Sequence, residues 1–136
     1  MTLMRQFGLA AIVAAAMVVC ATATARAGTY KLTPPPGSGF PHATGSVGVR
    51  IQGPFKEGYE YYYKAWIDCR VSHLAPSHGY GLFDATNHRF VAPIVTDAKG
   101  NGTVSTMFYT RYDFLPLGPG YIVVDSVTNV VELSSK

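Results

Sequence analysis

Cysteine is nearly missing from this 136-residue chain, which holds only Cys20 and Cys69. Charge is also sparse, at 14% of residues, and neither sign dominates, with 11 Lys and Arg against 8 Asp and Glu. The cations are scattered singly from Lys31 to Lys136, so the sequence implies no basic face and argues against a nucleic-acid partner. No apolar run reaches the ~18 to 20 residues that a membrane-spanning helix needs. The longest, from Phe7 to Cys20, is too short, and a membrane span is not expected. Beyond Ala27 no segment shows the three-to-four-residue apolar periodicity of an amphipathic helix.

That short run has a different meaning. Arg5 precedes it and the small-residue site Ala25-Arg26-Ala27 follows it, the order of a secretory signal peptide. The expectation is a cleaved leader over 1–27 and a secreted or periplasmic domain over 28–136. A lipid anchor on Cys20 is disfavoured by the bulky Val18-Val19 just before it. Loss of Arg5 and Arg26 would lower the formal charge from +3 to +1. It would also leave Cys69 without a partner, so an internal disulfide is impossible and packing must carry stability.

Residues 28–44 carry Pro34-Pro35-Pro36-Gly37-Ser38-Gly39 and Pro41. This composition neither propagates a helix nor pairs in a central strand, and it reads as an extended arm. The domain proper, 45–136, changes to period two. Val47, Val49 and Ile51 alternate with Ser46, Gly48, Arg50 and Gln52, and Gly53 to Gly58 then supplies a turn. In the run from Tyr59 to Val71 the odd positions Tyr59, Tyr61, Tyr63, Ala65, Ile67, Cys69 and Val71 form the core face, which makes Cys69 a buried structural thiol. Further strands are expected over 80–84, 90–95 (an edge, because of Pro93), 103–110, 121–126 and 130–133. Asn101-Gly102 is the strongest hairpin signal. Leu115 to Gly120 reads as a break. Seven or eight short strands at roughly ten-residue spacing make an all-β chain, an immunoglobulin-like or Greek-key β-sandwich.

Two segments carry a resemblance. Leu74-Ala75-Pro76-Ser77-His78-Gly79-Tyr80-Gly81-Leu82-Phe83 is similar to the run that leads into the metal site of secreted copper/zinc superoxide dismutases, and Val95-Thr96-Asp97-Ala98-Lys99-Gly100-Asn101-Gly102 resembles one of that family's turns. The resemblance implies a β-sandwich scaffold. It does not imply the chemistry, because Gly81 and Phe83 stand where the family's run has its copper-binding histidines, and His78 matches a residue that supports the framework. Cys69 has no partner for the family's disulfide.

No two of His42, His73, His78 and His88 have the spacing that puts two imidazoles on one metal from a single strand or helix. A copper or zinc site would have to be assembled across loops from His78, Asp84 and His88. No Gly-x-Ser-x-Gly elbow places a nucleophile, so no catalytic residue is named and no cofactor is expected. Tyr62, Lys64 and Trp66 stand out instead, since alternation puts all three on the outward face of one strand. Exposed Trp and Tyr beside a cation suit a sugar ring or a protein partner. The alternative is a central strand whose second face is covered. The sequence thus reads as a non-catalytic binding or structural module, a monomer or weak dimer with a protein or glycan partner, and a metal-binding envelope protein as the second reading.

Overall fold

The computed structural model describes residues 26–111 and 120–135. The described residues form eight strands: β1 (Arg26–Leu32), β2 (Thr44–Glu57), β3 (Glu60–Ser72), β4 (Gly79–Asp84), β5 (Arg89–Val95), β6 (Gly102–Thr110), β7 (Tyr121–Asp125) and β8 (Val131–Ser134). All pairings are antiparallel. The first sheet has the order β1-β2-β3-β6 and the second β5-β4-β7-β8. The chain is a β-sandwich, and it changes sheet between β3 and β4, between β5 and β6, and between β6 and β7. Among the described residues no helix is long and apolar enough to cross a membrane. The predicted leader, except Arg26 and Ala27, and the predicted break at Leu115 to Gly120, except Gly120, lie outside the described residues.

Alternation explains where the core sits, although Tyr59 and Tyr61, expected on the core face, are exposed: Tyr59 lies in the turn before β3, and Tyr61 pairs with Lys56 at the hairpin end, past the register shift at Gln52. Val47, Val49 and Ile51 of β2 pair with Cys69, Ile67 and Ala65 of β3, and all six are buried on the same side of the first sheet. They meet Tyr80 and Leu82 of β4, Ile94 of β5, Val123 of β7 and Leu133 of β8. Cys69 lies inside this layer at 1% exposure, and burial pushes its thiol up to about 12.

Three further sequence expectations change. Residues 28–32, read as the start of the arm, belong to β1, where Gly28 pairs with Val49 and Leu32 with Gly45. The prolines begin only at Pro34, so nothing in Gly28 to Leu32 prevents pairing. The rest of the arm is held down by Glu132, whose carboxylate accepts hydrogen bonds from the Ser38 hydroxyl (2.7 Å) and the Gly39 amide (2.9 Å). Thr33 pairs with Ser134 and so joins β1 to β8 along one side of the sandwich.

The second change is at Gly53-Pro54, which does not end β2. A register shift between Gln52 and Phe55 loops the proline out of the ladder, where its missing N–H costs no bond, and pairing resumes from Phe55 to Glu57. The turn lies further on, around Gly58 at φ +62°. The third is Asn101-Gly102, which closes no hairpin, because β5 and β6 belong to different sheets. The positive φ sits at Gly100 (+80°), and Asp97 organises the turn by accepting the Lys99 and Asn101 amides. These bonds hold the Asp97 carboxyl below its ordinary range.

Two measurements check this core. Cys69 in the native protein should resist alkylation at mildly alkaline pH and react fully once denaturant unfolds the chain, since its buried thiol stays protonated there; rapid native labelling would contradict its placement. A methyl group at Gly100 would strike the Leu74 carbonyl oxygen and would require an unfavourable φ. Gly100→Ala should therefore destabilise the fold by about 2 kcal/mol or more in denaturant melts.

Candidate binding face

The outward face of the first sheet is set by β3. Its even residues point away from the core, and β3 lies between β2 and β6, so each of them has a cross-strand neighbour on both sides. One rung carries Arg50, Trp66 and Met107, and the next carries Gln52, Lys64 and Tyr109. Tyr62 follows with Phe55 opposite. The structure thus places Tyr62, Lys64 and Trp66 together, as alternation expects. No second layer of the described chain covers them, and all three are half-buried by their lateral neighbours alone.

These neighbours form aromatic and cation-aromatic contacts. Phe55 and Tyr62 stack with ring centres 5.5 Å apart, and Tyr109 meets Tyr62 edge-on at 5.6 Å. The Lys64 ammonium lies 5.1 Å from the Phe55 ring centre and 5.8 Å from that of Tyr109. The Arg50 guanidinium carbon lies 4.4 Å from the centre of Trp66. Such contacts fix long cationic side chains flat against the sheet. The hairpin beyond them, bounded by Glu57 and Glu60, holds an open pocket of about 430 Å³ lined by Tyr61, Tyr62, Tyr109 and Arg111. There Arg111 pairs with Glu60 at 2.9 Å.

Alternation alone puts Arg50 on the outward side of β2, but nothing in the sequence joins it to Trp66, and Phe55 falls within the expected turn. Only the β2-β3 register, with its shift at Gln52, brings both into this face. Register also undoes the scatter of the cations. Lys31, Arg50, Lys64 and Arg70 are far apart in sequence yet lie on one sheet face, because Lys31 pairs with Ser46, and Ser46 with Arg70.

The trio considered for copper or zinc is not assembled. His78 precedes β4, whereas Asp84 and His88 lie at its far end, about 20 Å away along six residues of strand. His78 Nε2 instead sits 2.9 Å from Asp125 Oδ2, and that bond holds the Asp125 carboxyl below its ordinary range. Asp84 is buried and accepts the amides of Thr86 and Asn87 together with the Asn87 side-chain amide, which makes it the organiser of the β4-β5 turn. His88 is exposed at φ +50°. Gly81 and Phe83 alternate with buried Tyr80 and Leu82 and so face outward from the second sheet, where a Cβ on Gly81 would press on the Phe83 ring. They offer no ligand atom to copper. Among the described residues no three His, Cys, Asp or Glu side chains are grouped to hold a metal.

No protein-family model matches the chain, and no curated protein or solved structure resembles it closely enough to lend it a function.

Proposed function

We propose that the protein is a non-catalytic binding module acting outside the cytoplasm, with the outward face of the first sheet as its contact surface. One observation carries the reading: Trp66, Tyr62, Phe55 and Tyr109 gather on an open sheet face, held with Arg50 and Lys64 in a fixed array. Rigid rings and flattened cations lose little conformational entropy when a partner docks, so such a face is prepared for recognition. A role as packing alone would place these rings beneath another layer, and the described chain provides none.

Trp66 is the only tryptophan, so tryptophan fluorescence reports on this face and nowhere else. The Trp66→Ala and Tyr62→Ala variants should keep the native circular dichroism spectrum, with a stability loss of about 1 kcal/mol or less for a partly exposed side chain. Each should lose at least about tenfold in affinity, or ~1.4 kcal/mol, for the ligands the native protein selects on a glycan array. Retained binding by both folded variants would refute this face as the contact surface, and unfolding of Trp66→Ala would make Trp66 a framework residue.

A further inference from the structure

Resting on the binding-face reading, we infer that its ligand is an acidic polysaccharide, a linear chain bearing repeated carboxylate or sulfate groups. The argument begins with charge. Lys31 and Arg70 share one rung, Arg50 lies two rungs further along, and Lys64 lies one rung beyond that. From the Arg70 rung to the Lys64 rung is six residues, about 20 Å along β3. Among the described residues none of these four cations is paired with a carboxylate, whereas Arg111 pairs with Glu60. The carboxylate within the row, Asp68, accepts a hydrogen bond from Ser105 across the rung between. The face therefore presents four cations against one carboxylate, a row of net positive charge.

Two of the cations are also held in place. Arg50 lies over Trp66, which leaves its planar fork of donors held flat for a bidentate oxyanion. Lys64 sits between Phe55 and Tyr109, so its ammonium is fixed above the sheet. Arg50 and Lys64 belong to adjacent rungs of paired strands, which puts their Cβ atoms at the diagonal separation of about 7 to 8 Å. A ligand that satisfies both must carry anionic groups at short, repeated intervals.

Other occupants fit less well. A second copy laid face to face would bring the same four cations against their own images, a like-charge contact that costs association. A folded protein partner usually buries an uncharged centre and keeps its charges at the rim, whereas here Arg50 and Lys64 lie on the two central strands of the face. Single-stranded nucleic acid needs open ring faces on which bases can stack, and here Arg50 lies over Trp66 while Phe55 and Tyr62 stack on each other. A polysaccharide of acidic sugars needs neither stacked bases nor an apolar anchor. Its apolar ring faces can rest on the exposed Tyr109 while its anions meet the cations.

The test is affinity electrophoresis and Trp66 fluorescence titration of the purified protein with polygalacturonate, dextran sulfate, neutral dextran and single-stranded DNA. Polygalacturonate or dextran sulfate should bind and neutral dextran should not. Affinity should fall steeply with added salt, and Arg50→Gln with Lys64→Gln together should reduce it at least tenfold without changing the thermal midpoint. Which acidic polymer binds separates carboxylate from sulfate recognition. Equal binding of neutral dextran, abolished by Trp66→Ala, would overturn the acidic ligand while leaving the face intact. Binding of DNA alone would overturn it in favour of nucleic acid. Binding of an acidic polymer that is indifferent to Arg50→Gln, Lys64→Gln and Trp66→Ala would overturn both the ligand and the face, and so would failure of all four polymers to bind.

Discussion

Everything in this structure depends on one apolar layer between two sheets. The chain has no disulfide to shorten its unfolded state, since Cys69 is a free thiol, and the described residues gather no metal cluster. The sheets are held together by side chains such as Val47, Ile51, Ile67, Tyr80, Leu82 and Val123, all at 2% exposure or less. Burying each such side chain contributes about 1.5 to 3 kcal/mol, against an ordering cost spread over the whole backbone. The balance is served by length. β2 and β3 run for 14 and 13 residues, well beyond an ordinary strand, so one hairpin supplies seven of the buried apolar positions.

The same period-two constraint that makes the core also makes the outer face. Every residue that β3 turns inward obliges its neighbours to turn outward, so Ala65 and Ile67 in the core fix Lys64 and Trp66 on the surface. A register slip of one residue would exchange the two sets. The sides of the sandwich are closed by polar devices instead. Glu132 holds the proline segment, Thr33 pairs with Ser134, and Arg89 reaches from β5 to the Thr110 hydroxyl at 3.2 Å while its guanidinium lies over Phe108 of β6. These contacts bridge the edges of the two sheets and pair polar groups as the sides close.

Legibility in the sequence followed the same division. Alternation from Ala65 to Val71 was strong enough to identify the core face, the outward placement of Tyr62, Lys64 and Trp66, and the burial of Cys69. All-β architecture was legible from strand spacing and turn residues. What was hidden is long-range: that Gly53-Pro54 is a bulge and not a turn depends on β3 pairing across it, and Asn101-Gly102 looks like a hairpin until β5 and β6 are seen in different sheets. The histidine and aspartate set near β4 seemed close because it spans only eleven residues. An extended strand converts that short sequence distance into a long spatial one, and the carboxylates are committed to capping amides.

Charge shows the reverse effect. Four lysines and arginines spread over forty residues looked uninformative, because composition records their number and not their direction. Each of Lys31, Arg50, Lys64 and Arg70 sits at an outward position, and antiparallel pairing folds forty residues into three adjacent strands. Aromatic residues then do what carboxylates do on most surfaces and hold the cations in place. A ring attracts a cation through its quadrupole without cancelling its charge, so Trp66, Phe55 and Tyr109 restrain Arg50 and Lys64 while leaving their field open to solvent. A salt bridge would have restrained them equally and hidden them. This choice of partner separates a surface prepared for an anionic ligand from one that is merely soluble.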